Sequence, residues 1–153
     1  MITNSRWWMV WFILPAAILL LPGAGWSDDS QVALMTTEMV GVGDDEKVRV
    51  TEFLWKVLGE YHPLLPGEQV RAAEQRAQAA GCEGEACLQA VRENLGVSMV
   101  YRLKHVDEGY FNHLYMTRAT SEGFVHKDYI CSRCSFPEYQ VILRRLLRHM
   151  HHK

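Results

Sequence analysis

Four cysteines and seven histidines are the side chains of this sequence best suited to chemistry, and their spacing sorts them. Cys82 and Cys87 are separated by Glu83-Gly84-Glu85-Ala86, and Cys131 and Cys134 by Ser132-Arg133. Each pair can close a local disulfide, which is the preferred reading because the partners are already adjacent. Cross-pairing would instead staple the Cys82 region to the Cys131 region, and four thiolates together would suit zinc. Local pairing requires Cα separations inside the ~4.4–6.8 Å window for disulfides. Cys87 shares a helical face with Leu88 and Val91 and is expected to be largely buried, and Cys134 is expected at the start of the last helix.

Thiol–disulfide exchange at Cys131-Ser132-Arg133-Cys134 is the alternative. A strand leading into a helix would place Cys131 near a helix N-terminus, and Arg133 would lower its pKa further. Only one helix follows the motif, however, whereas a thioredoxin-like domain needs most of its sheet there. Pro137 is also too close to serve as a separate substrate loop. Among the histidines, His105, His113 and His126 fall one on each of three segments with strand character, and His149, His151 and His152 close the chain. No carboxylate or cysteine completes the terminal group, and one histidine per strand is not a ligand set. The expectation is no metal and no cofactor. With no Ser-His-Asp arrangement, phosphate-binding glycine loop or HExxH, it is also a chain that is not an enzyme.

The compartment sets the state of the cysteines. Met1–Ser27 carries Arg6, an apolar run from Trp7 to Leu21 and a small-residue exit around Gly23-Ala24-Gly25, the layout of a secretory leader with cleavage after Ser27. A helix of that run would rise only ~22 Å, short of the ~30 Å hydrocarbon core. Contact with a membrane is expected only if the leader is retained as an anchor. No cysteine lies near the end of the run, so the expectation is a periplasmic chain without a lipid anchor. In an oxidising compartment the cysteines are expected to be paired. Without Arg6, the 16 basic residues fall to 15 against 18 acidic ones, and no basic cluster is present. Nucleic acid is not the expected partner.

Residues 28–153 then read as one domain, with all four cysteines bracketing its second half. Gln31–Val40 reads as a first strand, and Asp44 or Asp45 as the cap of a helix whose stripe is Val50, Phe53, Leu54, Val57, Leu58 and Tyr61. Tyr61–Leu65 leaves room for a short strand. Gly67–Ala80 is a helix with a thin face of Val70, Ala73, Ala77 and Ala80, expected on the rim. Glu85–Leu95 follows, with Gly96 at its left-handed cap. Glu83 and Glu85 are expected to cap that helix. Val97–Val106, Tyr110–Thr120 and Phe124–Cys131 form an antiparallel meander, and Phe136–Met150 a closing amphipathic helix. The fold class is α/β (α+β): a mixed sheet of about five strands covered by about four helices.

In this order the chain resembles the small α/β module of bacterial envelope proteins, the group of the TolB N-terminal domain, the curli secretion component CsgG and the penicillin-binding-protein activator LpoB. The matching residues are Val32-Ala33-Leu34, the Thr51–Leu54 helix, Gly81-Cys82 through Cys87 to Leu95-Gly96-Val97, Gly109-Tyr110, and Thr120-Ser121-Glu122-Gly123. They span most of the chain after the leader. Leu65-Pro66-Gly67 stands where many members have an Asp-Arg pair, and Arg102 where a small residue is common. The resemblance implies a binding or assembly role with other envelope proteins as partners. The expected function is therefore an exported, non-catalytic adaptor that binds through a sheet edge or the meander face. The aromatic run Tyr110, Phe111, Tyr115, Phe124 and Tyr129 is the candidate interaction surface. The alternative is a periplasmic oxidoreductase working through Cys131 and Cys134.

Overall fold

A computed structural model describes residues 31–151. The leader expected at Met1–Ser27 and the terminal His152 lie outside the described residues. Nine elements follow in chain order: β1 (Val32–Leu34), β2 (Glu38–Val40), α1 (Asp44–Gly59), α2 (Gly67–Ala79), α3 (Glu85–Leu95), β3 (Met99–Asp107), β4 (Phe111–Thr120), β5 (Gly123–Ser132) and α4 (Phe136–His151). They form a mixed five-stranded sheet with two helices on each face, an α+β fold.

The sheet runs β1–β3–β4–β5, with β2 beside β3 beyond β1. β1 and β2 both pair parallel to β3, while β3–β4–β5 is an antiparallel meander with tight turns. The apolar alternation of β3 assigns its two faces. Tyr101, Leu103 and His105 turn to one core with Leu54, Val57, Leu58, Leu114, Met116, Leu143 and Leu147, under α1 and α4. Val100 turns to the other, with Ala33, Val70, Ala73, Leu88, Val91 and Ala119, under α2 and α3. Each large side chain fully buried in this way contributes about 1.5–3 kcal/mol before chain entropy is counted.

Three expectations are corrected. The first strand is broken, not continuous over Gln31–Val40. Six steps from Val32 to Glu38 match only five from Met99 to Lys104, so the outer strand carries one extra residue. The physical reason is a competing partner: the amide and the hydroxyl of Thr36 both donate to the buried Glu74 carboxylate of α2. Second, α2 is not on the rim. Val70, Ala73 and Ala77 are 1%, 0% and 2% exposed, because small side chains let the helix lie close against the sheet. Third, the strand expected at Tyr61–Leu65 is a single parallel bridge from Leu64 to Val32, since Pro63 donates no hydrogen bond.

The helix caps also differ from the expectation. Gly43, not Asp44 or Asp45, caps α1, and its carbonyl accepts from the amides of Glu46 and Lys47. The acidic residues Asp44 and Asp45 lie in the first turn, where they complement the helix dipole. Gly84, not Glu83 or Glu85, precedes α3, while Gly96 closes it in the left-handed conformation (φ 64°). At α4 the Ser135 amide and hydroxyl both donate to Glu138 at 2.7 Å, one half of a capping box that fixes where the helix starts.

Candidate interaction surface

The two helix pairs do not cover the sheet equally. Under α1 and α4 one face is buried along β3 and β4. On the other, α2 and α3 reach only the end built from Ala33, Val100 and Ala119. The rest of that face is open, and strand alternation determines what it shows. The register places Thr117 beside Arg102 and His126, Tyr115 beside Lys104 and Asp128, and His113 beside Val106 and Ile130. At its two ends stand Phe111 and Phe124.

Of the five aromatic residues expected to form an interaction surface, Phe111, Tyr115 and Phe124 lie on this open face, 43%, 41% and 37% exposed. Tyr110 sits at the β3–β4 turn, its ring edge-on to Phe111 at 4.8 Å with the Arg133 guanidinium 5.0 Å above it. Tyr129 pairs with Leu114 and so belongs to the opposite face, beside α4. The structure brings three of the five onto one face and one to its margin. Sequence reading passed over Val40 and Ile130, 51% and 54% exposed, which extend the apolar part of the same face. The alternation of β5 was the signal that could have found Ile130.

Polar side chains on this face are held by one another. Lys104 meets Glu38 at 2.8 Å, and His113 lies 3.6 Å from Glu108 and 3.2 Å from the Tyr115 hydroxyl. His126 touches Thr117 at 3.2 Å and Glu85 at 3.3 Å. A shallow hollow of about 350 Å³ is lined by Lys104, Val106, Glu108, His113 and Tyr115. The three strand histidines do not converge, because His105 is buried on the other face against Asn112 at 3.0 Å. Among the described residues no group of three or more His, Cys, Asp or Glu side chains is placed to hold a metal.

Both cysteine pairs are local disulfides. Cys82–Cys87 joins the α2–α3 connection to α3 with Cα atoms 5.0 Å apart, and Cys131–Cys134 links the end of β5 to the approach to α4 at 5.9 Å. Cys87 is 9% exposed, and Cys134 lies two residues before α4. Between the second pair, Arg133 adopts a left-handed φ of 51° and donates its amide to the Tyr110 carbonyl. The positive end of α4 is already occupied by the Glu138 carboxylate, which the Ser135 amide and hydroxyl hold below the usual carboxylate range. A negative charge there opposes the thiolate that exchange chemistry at Cys131 would need.

The sequence matches no protein-family model and no curated protein. Solved structures do share the fold. The LpoB C-terminal domain from Escherichia coli is 15% identical and aligns over 74% of this chain and 90% of its own, with a TM-score of 0.51. The same domain from Salmonella enterica is 14% identical over 72% and 87%, with a TM-score of 0.48. Lipoprotein GNA1162 from Neisseria meningitidis is 6% identical over 81% and 98%, also with a TM-score of 0.48. The fold is that of an LpoB-like α+β module.

Proposed function

We propose that this chain is an exported, non-catalytic binding module of the bacterial cell envelope that docks a partner protein on the open face of its meander. The observation that carries the reading is the row of exposed apolar side chains, Phe111, Tyr115 and Ile130, on the part of the sheet that α2 and α3 leave uncovered, with Phe124 exposed at the far end of the same face. Large exposed aromatic and aliphatic groups on one surface are what protein interfaces are built around. The two disulfides and the leader-like N-terminus support an oxidising, periplasmic setting. The LpoB-like fold supports the envelope assignment, through the binding or assembly role that the resemblance implies.

The test is site-specific photo-crosslinking in cells. A crosslinking amino acid at Tyr115, Phe111 or Ile130 should trap the same envelope protein from each position, whereas one at the α1 surface residue Glu52 should not. Tyr115→Glu should remove the adduct formed from Ile130 while leaving the circular dichroism unchanged. Adducts of equal yield from Glu52, or none from the open face in a chain shown to be exported, would end this reading.

A further inference from the structure

The two edges of the sheet are built differently. One is short, carries the extra residue at Thr36 and is partly covered by the Leu64 bridge, which are the usual ways of blunting an edge against added strands. The other is β5. It pairs with β4 over ten unbroken positions, from Phe111↔Ser132 to Thr120↔Gly123. It contains no proline and no bulge, and among the described residues its outer side pairs with no strand. Its row of outward amides and carbonyls is intact.

Beside that edge α4 runs back in the opposite direction, and a groove lies between them. Its first section, about 610 Å³, is lined by Tyr129, Cys131, Cys134, Pro137, Val141 and Ile142, with Glu138 also contributing. It continues past Tyr129 and Ile142 into a narrower section of about 210 Å³ lined by Lys127, Arg145, Leu146 and His149, with Asp128 also contributing. Cys131, Tyr129 and Lys127 alternate along β5 on the side facing α4, and the basic side chains of the groove all stand at the end away from the disulfide. Asp128 belongs to the opposite face of the strand, in register with Tyr115. Glu138 is already held by Ser135.

We propose that this groove takes an extended segment of a partner protein as an added antiparallel strand. The segment would place apolar side chains toward Cys131–Cys134 and Ile142, and an acidic side chain four residues further on, between Lys127 and Arg145. Main-chain hydrogen bonds to β5 supply affinity, and alternate side chains supply selection. A second copy of β5 is a poorer occupant. Symmetric antiparallel pairing that keeps the apolar faces together sets one residue opposite itself, and the two central registers oppose Lys127 to Lys127 or Asp128 to Asp128. The inference rests on the binding-module reading only for the claim that the segment comes from a partner protein, and it concerns a different surface.

The probe is the blocked peptide Thr-Ile-Thr-Val-Thr-Glu-Thr, titrated into the isotope-labelled full chain while backbone amides are followed by NMR. Saturable shifts are expected at Lys127–Cys131 and Ile142–Arg145. Exchanging the peptide's Glu for Lys should weaken binding at least about fivefold, as one partly exposed ion pair allows. Arg145 is exposed, and Arg145→Glu should reverse the preference. N-methylation of one alternate set of peptide amides should weaken binding at least about tenfold while the other set is tolerated. The inference is overturned by no shift at millimolar peptide, by tolerance of both methylated sets, or by shifts centred on Phe111 and Tyr115. It is equally overturned if β5 shifts with protein concentration alone, which would mean that a second copy fills the groove. Apart from shifts at Phe111 and Tyr115, which would point to the open face instead, none of these results bears on crosslinking from that face.

Discussion

Gly41 separates β2 from α1 with φ +75°, and a Cβ built there would lie 2.3 Å from the Asp107 carbonyl oxygen. Gly41→Ala therefore carries two costs. The left-handed backbone costs a residue with a Cβ about 1–2 kcal/mol. Relieving the contact means moving the end of β3 by roughly 1 Å, an overpacking of about 1–3 kcal/mol. Restricting the unfolded chain returns about 0.4–1 kcal/mol, so the net loss is about 1–5 kcal/mol, centred near 3. For a stability of about 5–15 kcal/mol this is large, and the melting temperature should fall by roughly 10 °C. Gly109 is the matched control: its φ is +84°, but nothing lies within 4 Å of an added Cβ. Gly109→Ala should lose only the backbone share, about 1 kcal/mol. Urea unfolding followed by circular dichroism measures both variants. Asp107 leads into the turn that carries Tyr110 and Phe111, so Gly41→Ala should also disturb those two residues. If the two variants unfold within about 0.5 kcal/mol of each other, the contact between Gly41 and Asp107 is not a fixed feature of the fold and the reasoning fails.

Three further outcomes are expected. Serine in place of both cysteines of either disulfide should lower stability by about 2 kcal/mol, because loops this short restrict the unfolded chain little; a loss twice that size by urea unfolding would contradict the local-loop account. Burial, then the neighbouring His151 and Arg118, hold the His62 imidazole below its ordinary pKa. The unfolded chain thus binds the proton more readily, and stability present above about pH 6.5 is lost as the pH falls through the folded value. His62→Gln should flatten that slope in melts between pH 7 and pH 5, and an unchanged slope would refute it. His105 is fully buried and bonded to Asn112; Asn112→Leu alone should cost about 1–3 kcal/mol, whereas His105→Leu with Asn112→Leu should recover most of it, which a double-mutant cycle measures.

The elements that were legible in the sequence are those whose signal is local. α4 follows the stripe Tyr139, Ile142, Leu143, Leu146, Leu147 and Met150, every one of them buried. α3 ends at the glycine that its left-handed cap requires. The break in the first strand was not legible, because Glu74, which causes it, lies 38 residues from Thr36. The burial of α2 depends on the sheet it faces, and its alanines carry no sign of that. The Ser135–Glu138 cap is local as well, since Ser135-Phe136-Pro137-Glu138 has the spacing of a capping box. At the interaction surface the aromatic types were plain, but their faces were not. The two residues between Thr120 and Gly123 set the β4–β5 register, and that register sends Tyr129 to the opposite side from Tyr115.

The position of β5 also has a dynamic consequence. β3 is flanked by β1 and β2 on one side and β4 on the other, and helices cover both of its faces at the Val100 end. Among the described residues β5 has a single neighbouring strand, and none of its own residues is fully buried. Amide hydrogen exchange should therefore be slowest in β3, where exchange requires global unfolding, and fast in β5, where the strand can fray alone. A partner seated on the outer edge of β5 would close that local route. Its arrival would be recorded as new protection in a strand that exchanges quickly in the free protein, while β3 would change little.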